Sequence, residues 1–224
     1  MQKKDDFVMQ KESPLEFLEK NVSRLERANI KLAVDAGYEL AYKTLNKDES
    51  WLLQLRGSEL LPRLKSHAVE YSLVQFIKRG LISFNYELKN TSKNRSTFLL
   101  FSNSEGSIEY IVNQTANGEK PSREAKYRTE RYQQFESYFD FDKGELIVDA
   151  PVYTEINHGH QSTLPKFVVL GIPKSNKEWH SRINLSDEVS LLDYEHSEIK
   201  TKENELSDFD FDDFKKFVIK GDVK

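Results

Sequence analysis

Four side chains in this chain have types and spacings that could do chemistry: Glu70, Glu109, His158 and His160. Carboxylates such as Glu70 and Glu109 hold a hard divalent cation such as Mg²⁺ through oxygen. His158-Gly159-His160 is the close histidine pair of the sequence, and Glu155 or the more distant His180 would complete a metal site with it. The competing reading of that pair is two exposed histidines in a polar loop turned by Gly159. His67, one helical turn before Tyr71, reads as a satisfied, partly buried histidine. There is no cysteine, so thiolate nucleophiles, thiolate metal sites and disulfides are excluded together. A Gly-rich phosphate loop, a Gly-x-Ser-x-Gly elbow and a His-Glu-x-x-His helix are also missing, which weighs against NTPases, serine hydrolases and zinc proteases.

A second kind of chemistry lies in two basic runs. Arg79, Lys93 and Arg95 stand with Lys78 and Lys89 against Glu87, and Arg123, Lys126, Arg128 and Arg131 are interleaved with Glu124 and Glu130. Two basic regions flanking one sheet would track a phosphate backbone, with Tyr127 and Tyr132 placed to stack on bases. This reading predicts that Arg95, Arg123 and Arg128 are close together and exposed.

The elements that must position these residues follow from pattern. Ser13-Pro14-Leu15-Glu16 carries a capping hydroxyl, a proline for the first helical position and a glutamate for a capping box. Leu15, Leu18, Val22, Leu25, Leu32, Ala36 and Leu40 then recur at helical spacing, with Gly37 as a point of bending or splitting. Residues 51 to 55 read as a short buried helix. A buried helix over about Pro62 to Arg79 ends at Gly80. Three β-rich runs follow, LISFNYEL, STFLLFSN and SIEYIVNQ, and they predict an antiparallel meander. A charged helix is expected over about Ser122 to Phe139. One strand is expected from Glu145 to Ile156 with Pro151 at an irregularity, and a buried strand from Lys166 to Ile172. Trp179 and Ile183 are expected to cover the end of the sheet.

The order helix, three strands, helix, strand is similar to the core of PD-(D/E)XK nucleases. That resemblance implies a Mg²⁺ site with an acid on the second strand, Glu-x-Lys on the third and a helix glutamate. Glu70 and Glu109 match in position. The second strand, Ser96 to Asn103, has no carboxylate, and Ile111 stands where the lysine belongs.

The segments LLPRLKSHAVEYSLVQFIKRG, YIVNQT, PSREAKYR, RYQQF and FVVLGIPKSNKEWHSRINL resemble an uncharacterised family of bacterial and phage proteins, over about residues 60 to 185. The residues carrying the resemblance are Glu70, Gln114, Pro121, Arg123, Arg128, Gly171, Pro173 and Trp179. Several members carry His-Leu-Glu where this chain has Ser96-Thr97-Phe98. The resemblance implies a phage, prophage or mobile-element setting and no established activity.

Charge completes the reading. The net charge is −4, yet residues 186 to 213 hold eleven acids against Lys200 and Lys202. The expected fold class is α+β, with N-terminal helices (1–57) packed on a mostly antiparallel core (58–185) and an acidic C-terminal appendage (186–224). Phenylalanines at positions 209, 211, 214 and 217 predict that residues 208 to 219 dock. No apolar run is long enough to span a bilayer and no secretory leader is expected, so the expected location is cytoplasmic. The expected function is a non-enzymatic regulatory or interaction protein, with a nucleic acid or, through the acidic tail, a protein as partner. No cofactor is expected. The alternative is a divergent metal-dependent nuclease using Mg²⁺. Oligomeric state is not legible.

Overall fold

The computed structural model of the 224-residue chain describes residues 13–45, 57–90, 97–125, 128, 138–140, 145–147, 151–159 and 163–187. The N-terminal expectation holds at its start. Ser13 Oγ accepts from the Glu16 amide and the Glu16 carboxylate accepts from the Ser13 amide, closing the capping box of α1 (Pro14–Asn21). The apolar stripe does not run on unbroken. Val22 leaves the helix and Ser23 caps α2 (Arg24–Lys43), which restarts the periodicity. Leu25 is therefore 60% exposed, while Ile30, Ala33, Val34, Tyr38 and Ala41 turn inward.

Gly37 does not split α2, which runs unbroken from Arg24 to Lys43. A Cβ there would lie 2.6 Å from the Val69 Cα of α3 (Leu61–Lys78), so the glycine allows the backbones of the two helices to approach closely. Helix α3 ends as its sequence indicates. Gly80, at φ 70°, donates to the Ile77 carbonyl while Leu81 donates to the Phe76 carbonyl, which is a Schellman closure. The short helix expected at residues 51 to 55 lies outside the described residues.

The strands form a six-stranded sheet in the order β1-β2-β3-β6-β7-β8. Strands β1 (Asn85–Asn90), β2 (Thr97–Ser102) and β3 (Ile108–Gln114) make the antiparallel meander that their alternation predicts. Strands β6 (Val152–His158), β7 (Val168–Pro173) and β8 (Trp179–Asn184) make a second meander. The two meet where β3 and β6 pair in parallel. The fold is therefore α+β, mostly antiparallel, with one crossover at its centre.

Three sequence expectations are corrected. Residues 145 to 156 do not form one strand: β5 (Glu145–Ile147) pairs antiparallel with β4 (Tyr138–Asp140) in a separate two-stranded sheet, and β6 starts after Pro151. Proline lacks the N–H of a ladder, so the strand restarts beyond it. The charged helix of residues 122 to 139 fails at both ends, since residues 121–125 are non-helical and 138–140 are strand. Ser122 is held instead by the long-range contact with Glu155 described below. Residues 179–184 form the edge strand β8, where only a cover for the sheet was expected.

One face of the sheet carries the core. Leu99, Phe101, Ile108, Tyr110, Val152, Ile156, Leu170 and Ile183 alternate onto it and pack against Leu18, Ile30, Val34, Val69, Leu73 and Phe76 of the three helices. The N-terminal helices thus share the core of the sheet. The opposite face has a smaller apolar cluster, Leu100, Ile111 and Tyr153 with Phe98 against it. Among the described residues, no helix is long and apolar enough to cross a membrane. The acidic appendage from residue 188 onward, with the docking expected at 208–219, lies outside the described residues.

Candidate functional site

Every residue of β6 is buried, although its sequence is VYTEINH. Burying five side chains with polar groups on one strand costs free energy unless each is bonded, so this strand concentrates the polar groups of the interior. Period-two alternation divides them. Tyr153, Glu155 and Asn157 face away from the helices, while Thr154 and His158 face toward them.

Glu155 centres the first cluster. Its side chain is fully buried, and both oxygens are occupied. Oε1 accepts from the Ser122 hydroxyl at 2.6 Å and the Tyr153 hydroxyl at 3.0 Å. Oε2 accepts from the Ser122 amide at 2.8 Å and Asn157 Nδ2 at 2.9 Å. The charge is balanced by Arg128, whose Nε lies 3.9 Å from Oε1. The same guanidinium donates to Asn113 Oδ1 at 2.6 Å and to the Arg123 carbonyl. Register explains the gathering: Asn113 pairs with Asn157 and Ile111 with Glu155 across the parallel β3–β6 ladder. On the other side Glu155 pairs with Gly171 of β7, where a Cβ would meet the Trp179 ring at 2.7 Å. The chain leaving β3 thus lies over this face and is fastened to Glu155 through Ser122 and Arg128.

Glu26 makes a similar clasp at a loop. Its Oε1 accepts from the amide of Ser83 at 2.8 Å and from its hydroxyl at 2.5 Å, tying α2 to the segment that enters β1. Both glutamates hold a serine amide and hydroxyl together, which charge assistance makes stronger than neutral bonds.

The second cluster lies on the helix side. His158 Nδ1 is 2.9 Å from the Tyr38 hydroxyl, and the rings meet edge to face at 5.5 Å. Lys65 Nζ sits 5.0 Å from the centre of the Tyr38 ring. Burial lowers the His158 pKa to about 4, reinforced by the charge of Lys65, so the imidazole is neutral near pH 7. Burial also lowers the pKa of Lys65 and pushes the Tyr38 hydroxyl up to about 12. His158 Nε2 is buried without a hydrogen-bond partner.

Several residues singled out by sequence lie elsewhere than expected. His158 is the sealed last residue of β6 and not an exposed loop residue, because its register opposite Gln114 and Val168 carries it into the sheet. His160 lies outside the described residues. His67 is exposed, 3.7 Å from Glu70, and not partly buried. Glu70 is on α3, on the helix side of the sheet, whereas Glu109 shares the opposite face with Ile111 and lies 4.0 Å from Lys89. The sheet therefore separates these two carboxylates. Among the described residues no three His, Asp or Glu side chains are grouped to hold a metal ion.

Of the basic residues, Arg79 and Arg123 are exposed. Arg128 is not, since it turns inward onto Glu155, and the expected surface formed with Arg95 and Arg123 loses it. Lys93, Arg95, Lys126 and Arg131 lie outside the described residues. Sequence reasoning treated Glu155 only as a third ligand for the histidines and passed over Lys65. The available signal was a Tyr-x-Glu-x-Asn alternation inside a buried-length strand, which places three polar groups on one face.

Compared with protein-family models, curated proteins and solved structures, the chain matches none.

Proposed function

We propose that this protein is a non-enzymatic regulatory or interaction protein whose partner is another protein. The observation that carries this reading is the closure of the Glu155 carboxylate. A catalytic acid or a metal ligand needs an oxygen turned toward substrate, water or ion. Here Ser122, Tyr153 and Asn157 occupy both oxygens and Arg128 balances the charge, so the group fastens a crossover to the sheet. The acids that a PD-(D/E)XK-like nuclease would use, Glu70 and Glu109, stand on opposite sides of the sheet, which argues against a shared Mg²⁺. Arg128, engaged in the interior, is withdrawn from any phosphate-tracking surface, which favours a protein over a nucleic acid. The phage, prophage or mobile-element setting rests on the sequence resemblance of residues 60 to 185.

The test is incubation of the purified protein with plasmid, single-stranded DNA and RNA in Mg²⁺ or Mn²⁺. No cleavage is expected. Cleavage that disappears in Glu70→Gln or Glu109→Gln overturns the reading.

A further inference from the structure

The two edges of the sheet are finished differently. At one end β8 pairs with β7 through a register shift at Ile172/Pro173, and α1 packs beside it. Bulges and covering helices are how sheets block edge-to-edge pairing. At the other end, among the described residues, β1 has neither device. Its six residues pair with β2 in unbroken register from Asn85 to Asn90, with no proline, and no described strand pairs with its outer side. Tyr86 and Leu88 lie on the face that carries the core, opposite Phe101 and Leu99, yet remain 42% and 49% exposed. On the other face stand Glu87 and Lys89. An edge in unbroken register with two exposed apolar side chains is a surface for strand addition.

We infer that β1 pairs antiparallel with β1 of a second copy of this chain about a two-fold axis at Leu88, joining two sheets into one. The charge pattern selects this occupant. Antiparallel pairing centred on Leu88 sets Glu87 opposite Lys89 of the second copy, and two-fold symmetry repeats the pair. Opposite charges directly across a ladder are favourable, and like charges there are unfavourable. The same register sets Leu88 against its own copy, with each Tyr86 on the diagonal, so the four exposed apolar side chains cover one another on the core face. Within one chain Lys89 lies 3.5 Å from Glu87 and 4.0 Å from Glu109, so both charges already sit on the face where the cross-copy pairs form. Centring one residue away, on Glu87 or Lys89, sets a like-charged pair at the axis and loses the match. This inference names the partner within the interaction reading above but does not depend on the absence of catalysis, since the cleavage assay and the oligomeric state are read separately.

Sedimentation equilibrium on the full chain, well above the micromolar Kd expected of a small interface, tests it. The wild type is expected to be a dimer of the 26.2 kDa chain. Glu87→Lys and Lys89→Glu each replace both symmetric attractive pairs by repulsive ones, weakening dimerisation on the order of 10- to 100-fold. The double variant Glu87→Lys/Lys89→Glu is expected to restore the dimer, and an equimolar mixture of the two single variants is expected to form a heterodimer. Circular dichroism of the single variants checks that the monomer is folded. Glu87 is exposed and Lys89 half-exposed at the edge of the sheet, so folding should survive. A monomeric wild type, or a dimer indifferent to both single variants, overturns the inference.

Discussion

Ser122 binds Glu155 twice, through its amide to Oε2 at 2.8 Å and through its hydroxyl to Oε1 at 2.6 Å, across 33 residues of sequence. This residue pair fixes where the non-helical segment 121–125 lies, because an amide engaged with a distant carboxylate is held where that carboxylate puts it. It also lays the chain that leaves β3 over the side of the β3–β6 ladder that faces away from the helices.

Removing that carboxylate leaves Arg128 without its counter-charge and four donors without an acceptor. Glu155→Ala is expected to destabilise the fold by roughly 3–5 kcal/mol. Glu155→Gln should cost less, about 1–2 kcal/mol. Its amide nitrogen can face the Ser122 and Tyr153 hydroxyls, which can turn to accept, while its oxygen keeps the two N–H donors at the Oε2 position. Urea unfolding of the three proteins measures the order. Equal losses would show that the hydrogen bonds to Oε2 contribute nothing.

Arg128 separates structural from nucleic-acid roles. Arg128→Gln is expected to lower stability by roughly 3 kcal/mol through the unpaired Glu155, with affinity for heparin or a labelled oligonucleotide nearly unchanged. Thermal melting and fluorescence anisotropy on the same samples read both. A stable variant with much weaker polyanion binding would return Arg128 to the surface.

Gly37→Ala sets two effects against each other. Alanine gains about 1 kcal/mol of helix propensity over glycine. Its Cβ would fall 2.6 Å from the Val69 Cα and 2.9 Å from the Ala68 carbonyl oxygen, atoms of backbone that cannot step aside. Overpacking of this kind costs roughly 1–3 kcal/mol, so the variant should be less stable. A raised melting temperature would mean that α2 and α3 can part at little cost.

His158 makes stability depend on pH. Its folded pKa, about 4, lies below the ordinary 6.5, so below pH 6.5 the unfolded chain binds a proton that the folded chain refuses. The contribution is complete above 6.5 and is lost as pH falls from there toward about 4. Acidifying from about pH 7.5 to about pH 5 should remove roughly 2 kcal/mol through this residue. His158→Gln, which does not titrate, should lose correspondingly less stability over the same interval. Identical slopes for the two proteins would place the histidine in contact with water.

The sequence by itself determined the devices that close within a few residues. The Ser13–Glu16 capping box, the Gly80 closure of α3 and the alternation of Ile108, Tyr110 and Val112 each need only neighbours along the chain, and each is found as the residue types dictate. The α+β class and the first meander follow from them. Burial and partnership were decided by the tertiary structure, because they depend on which face another element covers. Glu155 and Arg128 look like any solvated acid and base until the β3–β6 register and the crossover bring them together. His158 looks like a loop histidine until Tyr38, 120 residues away, meets it in the core. Gly37 looks like a weak point in a helix until α3 lies against it. In each case the local pattern allows several environments, and only the packing of distant segments selects one.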